Sequence, residues 1–140
     1  MTIEQLGTCT EFQVRRSEVD ARGLVHESVY LNWLNEAFLK HLQTKKLDLT
    51  TVQGTEYTLR LAEFSAKYVV PARLADFITA HCWISGVGAT SIDVSFELLR
   101  GDTTLMTGDS RYACTGSDDQ AIPVPSDWKA KMETAGNATH

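Results

Sequence analysis

The stretch "SEVDARGLVHESVYLNW", residues 17–33, sets an aspartate and a histidine, Asp20 and His26, just ahead of the apolar residues Tyr30 and Trp33. An aspartate there can accept backbone amides as a loop or helix-start residue. It can equally be a nucleophile or general base. Its target would be a group held near a helix N-terminus, where open amides and the dipole stabilise developing negative charge. Both roles need the same place, so spacing alone leaves them open. His26 is read the same way, as an acid, base or hydrogen-bond donor to that group, or as a structural contact.

Other reactive residues form no complete set. His81 and Cys82 are adjacent, but neighbouring strand residues point to opposite faces, which removes a cysteine hydrolase. No GxSxG elbow occurs. His41 and His81 lack metal-ligand spacing, and Cys9, Cys82 and Cys114 are widely spaced without a CxxC, so no metal site is expected. Glu36 and Lys40 form an i,i+4 surface pair. Glu63 interrupts an apolar face of "YTLRLAEFSAKY" and is either a solvent-facing edge residue or a carboxylate directed into a cleft. The glycines of "GVGAT" lead into a strand rather than a helix, which reads as a hairpin turn and not a phosphate loop.

These residues must be held by a small fold. The chain has 140 residues, 43% of them hydrophobic, which predicts one domain over 1–140 with flexible ends at 1–8 and 135–140. No apolar run approaches the ~20 residues of a membrane span, and the N-terminus lacks a signal-peptide pattern, so a soluble, cytoplasmic protein is expected. A net charge of −5 with scattered basic residues argues against a nucleic-acid partner.

Period-two alternation in "TCTEFQVRR" predicts a first strand with Phe12 and Val14 on its buried side. The segment Ser17–Ser28 breaks that period, and Gly23 supplies freedom for a tight loop. From Val29 the apolar positions Tyr30, Trp33, Leu34, Ala37, Phe38 and Leu42 follow helical spacing. The polar connector "TKKLDLTTVQGTE" then leads to four candidate strands: "YTLRLAEFSAKYVV", "DFITAHCWIS", "ATSIDVSFELLR" and "TTLMTGDSRYACTG". Gly86 and Gly88 are expected to turn into the third of these, and a short helix is expected after Ser126. The order is α+β. One helix cannot cover both faces of a five-stranded antiparallel sheet, so the other face is solvated or covered by another subunit. Outward aromatics such as Phe77 or Trp83 favour oligomerisation.

The motif "VDARGLVHESVYLNWLNEA" resembles that of the hotdog-fold thioesterases of the 4-hydroxybenzoyl-CoA thioesterase type. Asp20, Gly23, Val25 and Tyr30 fill the family's positions. The resemblance extends through "KYVVPARLADFI" to "IPVPSDW", nearly the whole chain. It implies a hotdog fold, a five-stranded antiparallel sheet wrapped around one long central helix.

It also implies an acyl-CoA thioesterase acting on an aromatic or fatty acyl group, with Asp20 as the catalytic carboxylate and the backbone N–H of Glu27 polarising the carbonyl. Gly23, His26, Tyr30, Trp33 and Glu63 would belong to the substrate site. No metal or cofactor is implied, coenzyme A entering as part of the substrate. Homodimers, paired into tetramers with clefts between subunits, are implied as well.

In some relatives the turn between the third and fourth strands carries basic residues for the nucleotide phosphates, whereas here it is "ISGVGATS". Phosphate contacts would then come from Arg22, Arg73, Arg100 or Arg111. "ISGVGATSIDVSFEL", "TLMTGDSRYAC" and Glu63 before "SAKYVVP" also resemble relatives that cleave acyl groups from acyl carrier protein. The alternatives are therefore an acyl-carrier-protein thioesterase and a non-catalytic acyl-thioester binding module.

Overall fold

In β1, Thr8–Gln13, Thr10 is buried while Cys9, Glu11 and Gln13 are exposed, and Val14 just beyond the strand is buried again. This is the period of two expected of a strand with one covered face. The computed structural model describes residues 7–47 and 58–137. Of the ends expected to be flexible, 1–6 and 138–140 lie outside the described residues. Thr8 already belongs to β1, and residues 135–137 belong to the last helix. Most of the polar connector after Leu47 also lies outside them.

Helix α1 spans Glu27–Thr44 and buries Val29, Tyr30, Trp33, Leu34, Ala37, Phe38, His41 and Leu42. This i, i+3, i+4 stripe is the one read from sequence. It packs against β1 and against β3, Phe77–Val87. The remaining strands are β2, Thr58–Tyr68; β4, Ser91–Arg100; and β5, Thr103–Thr115. All pairs are antiparallel, in the order β1-β3-β4-β5-β2. Gly86 is not in the turn but inside β3, at a bulge between Ile84 and Gly86; the turn begins at Gly88, whose N–H bonds Ser91 O at 2.8 Å.

The inner face carries Ile78, Ala80 and Cys82 from β3, Ile92, Val94, Phe96 and Leu98 from β4, and Met106, Tyr112 and Cys114 from β5, all in one core with α1. A second helix, α2, Ser126–Asn137, starts at the expected residue and adds Trp128 and Met132 to that core. Both helices, the 18-residue α1 and the shorter α2, therefore contribute to the core.

The outer face is polar. Asp93 accepts from Arg111 at 2.9 Å, and Ser95 donates to Asp109 at 2.8 Å. Phe77 is 71% exposed and Trp83 half-buried beside His81. Charged and hydroxyl side chains at the centre of this face are compatible with water. No helix among the described residues is long and apolar enough to cross a membrane.

Candidate active site

The Asp20 turn is built by its own backbone: Asp20 N–H donates to Leu24 O at 2.8 Å, and Gly23 N–H donates to Asp20 O at 3.0 Å. Gly23 has φ +79°, a conformation that costs any side chain about 1–2 kcal/mol, which explains glycine there. The Asp20 carboxylate accepts the N–H of Arg22 at 2.8 Å and of Leu24 at 3.1 Å. Both bonds fall on Oδ1, so Oδ2 is not engaged by either. The two amides, Leu24 first, with smaller help from the charges of His26 and Arg22, hold the carboxyl below its ordinary 3.8 and keep it ionised. Bracing the loop and presenting a carboxylate are thus two oxygens of one residue.

Helix α1 starts immediately beyond. His26 is its N-cap, and its imidazole makes no cap bond; its N–H donates to Glu18 O and its C=O accepts Val29 N–H, each at 3.0 Å. The N–H groups of Glu27 and Ser28 are among those that helix geometry leaves without an intrahelical acceptor, at the positive end of the dipole.

Asp20, His26, Glu27 and Tyr30 line one cleft of about 550 Å³. Its opposite wall is Tyr68, Val69, Val70 and Pro71, fixed by bonds from Val69 and Val70 N–H to Leu105 O at 2.8 and 3.2 Å. The Tyr30 hydroxyl accepts Ala72 N–H at 3.0 Å, and Ala72 O accepts Val25 N–H at 3.0 Å, joining the two walls. Tyr68 lies edge-on to Tyr30, centroids 5.3 Å apart, and its phenol is raised by partial burial, then by the nearby Glu27 carboxylate.

Four of the seven residues expected at the site are therefore brought together, and Gly23 shapes their turn without lining the cleft. Trp33 is a correction: it is buried between Phe12 and Tyr30, each at 5.7 Å, and supports the back of the Tyr30 ring. Three residues along a helix turn a side chain about 60° away from Tyr30, enough to move it off the cleft. Glu63 is the second correction: it is exposed on β2 opposite Arg111, 3.9 Å from that guanidinium and outside the cleft.

Tyr68, Val69 and Val70 were missed. Their signal was an apolar run carried past the end of β2 up to Pro71, of which Tyr68 and Val69 are about half exposed.

Other chemistry recedes. Cys82 is buried on the inner face and its thiol pushed well up by burial, as is that of Cys114 to a lesser degree. No group of three or more His, Cys, Asp or Glu side chains among the described residues could hold a metal ion.

Residues 14–132 match the thioesterase-like superfamily, a span that contains both walls of the cleft, and the chain belongs to that family. Thioester hydrolysis is the activity this membership carries. No curated protein matches the sequence.

Solved structures share the five-stranded α+β, hotdog-like fold. The hypothetical protein TT1821 from Thermus thermophilus is 22% identical, with TM-score 0.86 over 91% of this chain and 98% of that one. Slr0204, a 1,4-dihydroxy-2-naphthoyl-CoA thioesterase from Synechocystis, is 20% identical, with TM-score 0.81 over 90% and 95%. The hypothetical protein SAV2348 from Staphylococcus aureus, solved in complex with CoA, is 15% identical, with TM-score 0.85 over 94% and 84%.

Proposed function

We propose that the chain hydrolyses an acyl-CoA thioester, aromatic or fatty, in the cleft at the start of α1, with Asp20 as the catalytic carboxylate. One observation carries this reading: an ionised aspartate and the open N-terminus of a helix line the same 550 Å³ space. The thioester carbonyl lies against the Glu27 N–H, which bears the charge as the carbonyl becomes tetrahedral. Asp20 Oδ2 either attacks that carbon, expelling the thiolate and leaving an acyl anhydride for water to cleave, or takes the proton of an attacking water. The thiolate is a good leaving group, so no strong acid is needed. His26, Tyr30 and Tyr68 shape the acyl side, and coenzyme A enters as part of the substrate.

The CoA thioester in the name of Slr0204 and the CoA bound in the SAV2348 structure support CoA as the carrier. The exposed apolar residues Leu61, Tyr68, Val69, Leu74 and Phe77 support a homodimer, with dimers pairing into a tetramer, as part of this reading. Its competitors are a thioesterase acting on acyl carrier protein and a binding module in which Asp20 only braces the turn. Asp20→Asn keeps the shape and the Oδ1 bonds. Hydrolysis of acyl-CoA by this variant is expected to fall at least ~100-fold in kcat. Undiminished turnover would remove the catalytic role.

A further inference from the structure

We infer that Arg22 and Arg73 together hold a phosphate of the thiol carrier, so that the phosphopantetheine arm leaves the cleft over the junction of the Asp20 turn and the segment after Pro71. This rests on the thioesterase reading and assigns the end of the substrate that the cleft does not contain.

The two arginines are far apart in sequence, and the fold pairs the segments that carry them. Leu24 and Arg73 form an antiparallel bridge, and Leu74 N–H donates to Gly23 O at 2.9 Å. Arg73 thus stands opposite Leu24, a lining residue of the cleft, and Arg22 is two residues before it. Both are exposed, and neither side chain has an ion pair or hydrogen bond among the described residues.

The other arginines named as phosphate ligands are committed elsewhere. Arg100 binds Asp76 at 2.8 Å, and Arg111 binds Asp93 at 2.9 Å with Glu63 at 3.9 Å. The β3–β4 turn, Gly88–Thr90, has no basic side chain.

Charge also separates along the path. The cleft is lined by two carboxylates, Asp20 and Glu27, and by no lysine or arginine, so its interior repels a phosphate while its rim attracts one. Roughly a dozen bonds separate a thioester sulfur from the first phosphate of its pantetheine arm. Extended, they span about as far as four residues, ~14 Å. Paired guanidinium groups present forked donors suited to phosphate oxygens.

The test compares the wild type with Arg22→Ser/Arg73→Ser, titrating free CoA and free pantetheine calorimetrically and measuring hydrolysis of one acyl group on CoA and on N-acetylcysteamine, which has no phosphate. The expected result is an about tenfold weaker CoA affinity with a shallower salt dependence. KM for acyl-CoA should also rise about tenfold relative to that for the N-acetylcysteamine thioester, and Arg22→Lys/Arg73→Lys should recover most of both losses.

The same acyl group on acyl carrier protein separates the sources. A KM rise on both carriers assigns the site to the phosphate that ends the pantetheine arm and is common to them, and a rise on CoA alone assigns it to the further phosphates of the nucleotide. A rise on the carrier protein alone, with CoA affinity unchanged, places the contacts on the carrier's own surface and overturns the phosphate site. CoA affinity and KM ratios unchanged on both carriers overturn the site. If the wild type hydrolyses neither thioester while the double variant still loses CoA affinity, the anion site stands and the thioesterase reading fails.

Discussion

The Tyr30 hydroxyl accepts the Ala72 amide across the base of the cleft, 3.0 Å away and buried, linking positions 42 residues apart. Replacing Tyr30 with Phe leaves that amide without its partner. The cost is about 1–3 kcal/mol, more than the bond itself contributes, because a buried donor loses water and gains nothing. Urea unfolding should show a lower midpoint with an unchanged slope. An unaltered midpoint would mean that water reaches Ala72 N–H.

A buried imidazole at the far end of α1 predicts acid sensitivity. His41 Nδ1 lies 2.6 Å from Thr8 Oγ1, its Nε2 has no partner, and burial, followed by the charges of Lys45 and His81, lowers it from 6.5 to about 4. Its folded value lies below its unfolded one, so the unfolded chain binds the proton more readily. Stability is therefore unaffected by this group above its unfolded value and falls as pH drops from about 6.5 towards 4. Between pH 7 and pH 5 the loss is on the order of 2 kcal/mol. His41→Gln should remove most of that slope in unfolding titrations at the two pH values. Equal slopes in both proteins would assign the acid sensitivity to other groups.

Asp20 shifts in the direction that keeps a base available. Its carboxyl lies below 3.8, so the ionised form persists through the mildly acidic range. We expect kcat/KM for thioester hydrolysis to show no acid limb from Asp20 between about pH 7 and pH 5. A limb centred near pH 6 would name a different group as the base.

Glu63 gives the converse prediction. It is exposed and 3.9 Å from Arg111, itself half exposed, an arrangement of little energetic consequence. Glu63→Gln should move stability by no more than ~0.5 kcal/mol and leave thioester turnover intact. A loss of ~100-fold in kcat would bring Glu63 into a cleft through a partner subunit.

The sequence made the elements and one wall of the site legible. Periodicity located α1 because Tyr30, Leu34, Ala37 and Phe38 repeat with the helix, and β4 because Ile92, Val94, Phe96 and Leu98 alternate. Asp20 was visible because a turn aspartate and a helix start are neighbours in sequence.

The second wall was not legible. Tyr68–Val70 faces Tyr30 only through bonds to Leu105 and through Ala72, contacts between distant segments that no local period encodes. Trp33 was misplaced for a related reason: an apolar stripe tells which side of a helix is covered but not which neighbour covers it. Glu63 was ambiguous because an edge strand exposes both of its faces, so alternation along β2 carries little directional information.

Ala72 is bonded on both sides, by its N–H to Tyr30 and by its carbonyl to Val25. With the Leu105 carbonyl that holds the second wall, the cleft draws on the chain from residue 20 to residue 105, more than half of the protein, so a partly folded molecule has no cleft at all. Each molecule is then either competent or empty. Destabilising changes far from Asp20 should lower the number of working sites in a preparation while leaving KM of the survivors untouched.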